Sequence, residues 1–204
     1  VYPEGVAAVL VARCLGVPVI LTALGCDINL YAKMAWRRPQ IAWAIQHSDK
    51  VTAVSVDLRQ AMVGLGSTPA QTLVIPNGID LKKFYLMDRN SAREQLGLPR
   101  NAQIVLTVGS QDEVKGTRYL IEAIGLLRKR STPNMEQILL LIGDGPLQSS
   151  LQKLAEDVGV ADITQFLGRR PHSEIALWMN AAGVFCFPSL REGHPNVLME
   201  AFAC

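Results

Sequence analysis

Closely spaced cysteines are the first thing this 204-residue chain lacks. Its four, Cys14, Cys26, Cys186 and Cys204, stand far apart with no C-x-x-C pair, and only His47, His172 and His194 accompany them. That spacing argues against a disulfide framework and against a zinc site, so the thiols are expected to be reduced and buried. An excess of one charge is missing as well: 20 Lys and Arg against 18 Asp and Glu leave a formal net charge of +2. With no basic tract and no interleaving of aromatic and basic residues, there is no electrostatic footprint for nucleic acid. No Asp-x-Asp pair occurs, no metal ligands are signalled and no cofactor is expected. No G-x-G-x-x-G follows a strand, which disfavours a dinucleotide dehydrogenase. A basic leader with a small-residue cleavage site is absent too, and a cytoplasmic location is expected.

One segment raises the question of a membrane. Gly5 to Cys26 is almost wholly apolar, carries the single charge of Arg13, and approaches the length of a spanning helix. Gly16 and Pro18 break it, which predicts a buried helix through Leu15 followed by a strand over Val17 to Leu24.

What is present is apolar substance, 49% of the residues, enough for a sizeable core. Continuous apolar runs predict strands at Val17–Leu24, Val51–Val54, Thr72–Ile75, Ile104–Val108, Ile138–Ile142, Ile163–Phe166 and Val184–Phe187. Such runs mark parallel sheets covered on both faces. Amphipathic helices fall between them, with Leu120, Ile121, Ile124 and Leu127 on one stripe and Leu147, Leu151, Leu154 and Val158 on another. Alternating strands and helices predict a doubly wound α/β architecture. A polar stretch between Asp80 and Gln103, containing Lys82, Lys83, Arg93 and Arg100, separates two apolar blocks, and the domain border is placed at Leu86. The first block holds three predicted strands, too few for a complete doubly wound sheet. The chain opens without Met and stops within two turns of Glu200, so a piece of a longer protein is expected.

Several loops carry residues suited to anions and hydroxyls. After the strand Val184–Phe187 comes a turn, Glu192-Gly193-His194, and then a helix from about Pro195 or Asn196. A helix start offers free N–H groups and a positive dipole end. Glu192 and Glu200, eight positions apart, bracket it and could accept from hydroxyls. Lys115-Gly116 follows the strand Ile104–Val108 by a short loop and opens a helix, where an ammonium suits a diphosphate; a solvated loop lysine is the alternative. Gly143-Asp144-Gly145-Pro146 ends a strand, with Pro146 at a favoured first helical position; alone it could be an ordinary turn. Asp27, after Gly25-Cys26, reads as a helix cap or a structural turn. Asn77-Gly78 reads as a border turn with Gly78 at positive φ. Trp36-Arg37-Arg38-Pro39 and Trp43 fit a partly exposed helix, with membrane-surface contact as the alternative.

Glu192-Gly193-His194-Pro195-Asn196 running on to Glu200-Ala201 resembles the E-x7-E signature of the family-4 (group 1) retaining glycosyltransferases of GT-B architecture. Pro76-Asn77-Gly78-Ile79-Asp80, Val108-Gly109 with Lys115-Gly116, Ile142-Gly143-Asp144-Gly145-Pro146 and Phe166-Leu167-Gly168 resemble further stations of that family, in its order. The resemblance implies two Rossmann-like doubly wound domains, both incomplete here. Residues 1–86 would be the back half of the acceptor domain, and residues 87–204 the truncated nucleotide-sugar donor domain.

It also implies roles. Glu192 would contact the donor sugar's hydroxyls and Glu200 the ribose diol, while Lys115 would clamp the diphosphate. Gly193, Asn196, Val197 and Leu198 would supply backbone N–H groups to the phosphates. Gly143 and Gly145 would border the nucleotide, and Leu167 would line the base. The position after Gly109, basic in the family, is Ser110 here; it can donate one hydrogen bond but brings no charge. Loss of a bidentate cation there costs about 1.5–3 kcal/mol of diphosphate binding. The implied reaction moves a sugar from a nucleotide diphosphate sugar to an acceptor hydroxyl with retention, without a metal, in glycan or polysaccharide biosynthesis. The implied partners are that donor and a glycan or lipid-linked acceptor, at the inner face of a membrane if peripheral contact is made. Two rivals are a nucleotide-sugar epimerase of the same architecture, which the E-x7-E pair argues against, and a non-catalytic sugar-nucleotide or glycan-binding protein.

Overall fold

The computed structural model describes residues 1–130 and 136–204. Within them the chain resolves into two compact units, Val1–Gly78 with Glu192–Pro195, and Ile79–Arg191 with Asn196–Cys204.

The first unit runs α1 (Glu4–Leu15), β1 (Ile20–Ala23), α2 (Cys26–Asn29), α3 (Arg38–Gln46), β2 (Lys50–Ala53), α4 (Val56–Val63) and β3 (Thr72–Val74). Its strands pair in parallel in the order β1-β2-β3, with Leu21 opposite Val51 and Ala53 opposite Val74. Gly16 ends α1 in the left-handed conformation, as the break in the apolar run predicts. Val9 of α1, Ile41 and Ile45 of α3, and Leu58 and Met62 of α4 close over Leu21, Ala23, Val51 and Ala53. The opposite face of β1 and β2 is left open by the described residues: Ile20 is 63% exposed, and the Thr22 and Thr52 hydroxyls bond each other at 2.8 Å. Burial on both faces, expected for all strands, therefore fails in this unit. The same one-sidedness corrects the buried helix expected over the first apolar run, because Val9 and Ala12 are buried while Leu10, Val11 and Leu15 are exposed. Among the described residues no helix is long and apolar enough to cross a membrane.

The second unit runs α5 (Arg89–Gln95), β4 (Gln103–Val108), α6 (Thr117–Arg130), β5 (Gln137–Ile142), α7 (Gln148–Asp157), β6 (Thr164–Gly168), α8 (His172–Ala181), β7 (Val184–Phe185) and α9 (Asn196–Ala203). The strands are parallel in the order β6-β5-β4-β7. Here both faces are covered. Ile138, Leu140 and Ile142 of β5 enter one core with Ile175, Trp178 and Met179 of α8. Leu139 and Leu141 enter the other with Leu120, Ile121 and Ile124 of α6 and Leu151 and Ala155 of α7. Full burial of each such aliphatic side chain contributes about 1.5–3 kcal/mol. Leu127, expected on the α6 stripe, lies in the helix's last turn and is 55% exposed. The helix expected from Pro146 starts at Gln148, with Leu147 before it donating its amide to the Gln111 carbonyl at 3.0 Å.

The polar stretch after Asp80 is more than a connector. Phe84 is 1% exposed in the second unit's core, with Ile79 and Met87 packed beside it. Arg93 is 4% exposed, and its guanidinium donates to the carbonyl of Ala181 at 2.8 Å and to that of Arg100. Asn180 is the counterpart on α8. Its amide accepts from Met87 N at 2.7 Å and donates to Tyr85 O at 3.0 Å and Ala176 O at 2.8 Å. These bonds dock the incoming backbone onto α8 and α5.

Two smaller expectations change, and the alternatives for Asp27 narrow to one. Gly78 is not among the glycines with positive φ. Asp27 lies inside α2 and accepts from the amides of Gly25 and Ile28, which makes it a turn former rather than the N-cap. The four cysteines are free, as expected, but Cys14 and Cys26 are exposed and Cys186 and Cys204 only half-buried. Cys14 sits on the one-sided helix α1, and Cys26 on the short α2 after the strand end, so neither reaches the core.

Because Asn180→Ala strands the Met87 amide and the Tyr85 carbonyl, it is expected to destabilise the second unit by roughly 2–4 kcal/mol. Urea unfolding followed by far-ultraviolet circular dichroism measures this.

Candidate functional site

In the second sheet the chain moves from β4 to β5 to β6 on one side, then returns to add β7 on the other side of β4. The crevice beyond the carboxyl ends of strands at such a reversal is where open α/β sheets bind ligands. The segments leaving β4 and β7 are bound together there. Leu190 N donates to Val114 O at 2.7 Å, and Ser189 Oγ donates to the same carbonyl at 3.1 Å. Gly116 has φ 64°, and a Cβ there would lie 2.3 Å from Pro188 O, so only glycine fits. Lys115 is thereby placed at the reversal. Its side chain runs past Gly109, where a Cβ would be 3.7 Å from Lys115 Cδ, and its ammonium sits 5.7 Å from the Phe187 ring centroid.

Asp112 shapes this loop. Its Oδ1 accepts from the amides of Val114 at 2.9 Å and Lys115 at 3.2 Å, and its Oδ2 accepts from Ser110 Oγ at 2.6 Å. Partial burial pushes the carboxyl upward, but the bonds from Ser110 and the two amides outweigh it and hold Asp112 below the usual carboxylate range. Ser110 is exposed, and its hydroxyl proton points to Asp112. The hydroxyl therefore keeps only acceptor capacity in this arrangement, which removes the single donor expected of it.

Gly143 and Gly145 bring the ends of β4 and β5 into contact. Gly143 has φ 129°, and a Cβ there would fall 1.9 Å from Gly109 O; at Gly145 it would fall 2.4 Å from Gln111 O. Gly143 N donates to Gly168 O at 2.8 Å, which ties in β6 beside Leu167, itself half-buried against the core. Gln111, 2% exposed, completes the junction: its Nε2 donates to Gly143 O at 3.1 Å, and its amide donates to Asp144 O at 2.8 Å. The Gly143 amide is thus engaged within the protein.

Helix α9 supplies the next group. Val197 and Ala201 pack on the core, which turns its first residue, Asn196, outward. The amides of Asn196, Val197 and Leu198 lie at its positive dipole end. Glu200 stands one turn further on with 13% of its side chain exposed, and His172 Nε2 at the start of α8 lies 3.0 Å from its Oε1. Glu192 and Gly193 belong to the first unit. Glu192 O accepts from Asn29 Nδ2 at 3.5 Å, and a Cβ on Gly193 would fall 2.2 Å from Leu24 O, so residue 193 must be glycine.

The structure thus gathers Ser110, Lys115, Gly143, Gly145 and Leu167 at the strand ends of the second unit, and Asn196, Val197, Leu198 and Glu200 on α9. Sequence reasoning missed Asp112, Gln111 and His172. Asp112 carried a legible signal, an acidic residue two positions before a turn amide; the other two depend on contacts 32 and 28 residues away. Among the described residues no three His, Cys, Asp or Glu side chains converge as metal ligands would. A cleft of about 450 Å³ opens beside this loop, between α7 and the start of α6, lined by Asp112, Gly116, Thr117, Tyr119, Lys153 and Leu190. Asp112 lines it, but none of the site residues singled out from the sequence does. Arg37, weighed for membrane contact, lies 4.4 Å from the Trp36 ring centroid and 4.6 Å from that of Tyr31.

Because its folded-state carboxyl is held low, Asp112 contributes stability in full above about pH 4, the unfolded value, and loses it as pH falls through the folded value. Asp112→Asn is expected to lower the urea midpoint at pH 7, with the gap from the unaltered chain closing at more acid pH.

Comparison with known proteins gives this arrangement a context. Residues 88–204 match the family described as glycosyl transferases group 1, and residues 2–83 match Glycosyltransferase Family 4. A D-inositol 3-phosphate glycosyltransferase of Frankia alni is 30% identical over 216 aligned positions, covering 98% of this chain and 53% of that protein. The putative teichuronic acid biosynthesis glycosyltransferase TuaC of Bacillus subtilis is 31% identical, covering 98% of this chain and 48% of its own. Among solved structures, sucrose-phosphate synthase of Thermosynechococcus elongatus superposes with a TM-score of 0.82 at 27% identity, covering 98% of this chain and 52% of that one. Anabaena HepE in complex with UDP superposes with a TM-score of 0.81 at 23% identity, covering 98% and 55%. The chain spans about half the length of these relatives, and its two α/β units are those of GT-B proteins. It belongs to the glycosyl transferases group 1 family.

Proposed function

We propose that the second unit binds the diphosphate of a nucleotide-sugar donor, and that the whole protein transfers the sugar to an acceptor hydroxyl with retention at the anomeric carbon. The observation that carries this reading is Lys115, set between Gly109 and Phe187 where the strand order of the second sheet reverses. Chemistry at a glycosyl diphosphate demands stabilisation of the departing charge, which preorganised cations and amides supply. Lys115 would take part of that charge, and the amides at the start of α9 the rest. Glu200 would accept from the ribose diol, and the residues around Leu167 would border the base. The resemblance assigns Glu192 to the sugar hydroxyls and Gly193 to the phosphates. Retention, independence from metal, a glycan or lipid-linked acceptor in polysaccharide assembly and a cytoplasmic setting follow the family pattern and are part of the same proposal. The named activities of the D-inositol 3-phosphate glycosyltransferase and of sucrose-phosphate synthase support sugar transfer in general; their different acceptors leave this chain's own acceptor open.

Ser110 also supports a second reading, a non-catalytic binder of sugar nucleotides, because the family's basic residue is missing and the serine's proton serves Asp112.

Calorimetric titration with UDP, GDP and ADP, with and without EDTA, tests the donor site. Saturable binding of one nucleotide is expected, unchanged by EDTA and abolished by Lys115→Ala. Absence of binding by a chain shown to be folded overturns the proposal. Ser110→Arg is expected to tighten the diphosphate by about 1.5–3 kcal/mol, roughly tenfold or more, by restoring a fork of donors.

A further inference from the structure

Glu200 has a polar neighbour on a second helix. His172, the first residue of α8, places Nε2 3.0 Å from Glu200 Oε1. The two side chains are unequal: 62% of the histidine is exposed against 13% of the glutamate. Edge-to-face contact with Phe84, 5.2 Å between centroids at 64°, holds the imidazole from behind, and Phe84 is itself 1% exposed in the core. Contacts therefore run from Phe84 in the core of the second unit through His172 to the Glu200 carboxylate. Among the described residues His172 is the one hydrogen-bond partner shown for the Glu200 side chain.

A glutamate side chain has three rotatable bonds, and fixing them in one arrangement is entropically costly. A carboxylate offers about four acceptor positions on its two oxygens. One bond from His172 to Oε1 fixes the rotamer and leaves Oε2 uncommitted. Oε2 is then the oxygen suited to a vicinal pair of hydroxyls.

We propose that His172 is a positioning residue for Glu200: it donates from Nε2 to Oε1 and so presents Oε2 to the ribose hydroxyls of the nucleotide. This rests on Glu200 being the ribose acceptor, as proposed above. His172 itself touches no substrate. Its effect is selective, since it strengthens recognition of the hydroxyls and leaves the diphosphate and base contacts as they are.

The test is a titration of the nucleoside diphosphate that binds, beside its 2′,3′-dideoxy counterpart, into the unaltered chain and into His172→Ala, His172→Gln and Glu200→Ala, with thermal melting of each. In the unaltered chain, loss of the hydroxyls is expected to weaken binding at least about tenfold. His172→Ala should weaken the ribonucleotide about 3–10-fold and leave the dideoxy compound unchanged, with the melting temperature preserved. His172→Gln, whose amide can donate in place of the imidazole, should recover most of the loss. Equal weakening of both ligands by His172→Ala would show a merely structural residue, and no weakening of either would show an idle one; both overturn the inference. If Glu200→Ala leaves the preference for the ribonucleotide intact, the assignment of Glu200 falls instead. If the unaltered chain binds no nucleotide, the whole reading of the site falls with it.

Discussion

The ends of β4 and β5 approach so closely that residue 143 can carry no side chain. With Gly109 O occupying the place of a Cβ, and Gln111 O doing the same at Gly145, the two loops form one junction. Gln111 closes it by reaching across to the Gly143 carbonyl, and the Gly143 amide passes the connection on to Gly168 and β6. Three strand ends are thereby fixed relative to one another through backbone groups and one buried amide. A junction of this kind leaves little room for loop motion, because each shift would break a buried hydrogen bond or force a clash. Everything proposed for the second unit stands on that platform.

On the platform the balance of charge is set by three neighbouring residues. Where the resemblance implies two cations for a diphosphate, this chain has Lys115 and Ser110. Asp112 takes the serine's proton and two backbone amides, so its negative charge is already compensated by donors within the loop. That compensation keeps Asp112 from opposing an incoming anion as strongly as a bare carboxylate would. It also commits the loop to one shape, with the Lys115 backbone amide held by the same carboxylate that orders Ser110. In the proposed reading a diphosphate would be met by the Lys115 ammonium and the dipole end of α9, while the Arg169 guanidinium nearby is engaged by Asp144 at 3.0 Å.

The opposite face of the second sheet is organised by polar side chains inside an apolar setting. Arg93 and Asn180 are nearly fully buried, and both serve backbone carbonyls or amides that no strand or helix satisfies. A buried donor left unmatched costs more than a matched one contributes, so these residues act chiefly by preventing loss. The same logic reaches the surface at His172 and Glu200, where a mostly buried carboxylate takes a bond from an exposed imidazole seated on Phe84. Helix α8 is common to all of these contacts, so its placement against the sheet decides both how the chain enters the unit and how Glu200 is held.

The amino-acid sequence by itself determined the alternation of strands and helices, the parallel character of the sheets and the helix start at Asn196, because apolar runs, glycines and prolines act on their immediate neighbours. Each predicted strand has a counterpart within a few residues, and β7 is shorter than predicted, spanning Val184–Phe185. Motifs of contiguous residues, such as Lys115-Gly116 or Glu192 to Glu200, were legible for the same reason. Tertiary structure alone decided which faces are covered. Ile20 and Leu139 both sit in apolar strands, yet one is exposed and the other buried, since the difference lies in which helices return to that face. It alone decided that Gln111 and Asn180 are buried, that Cys14 and Cys26 are not, and that His172 meets Glu200. A side chain's partner across 28 residues of chain is set by how two helices pack, and local sequence holds no record of that distance.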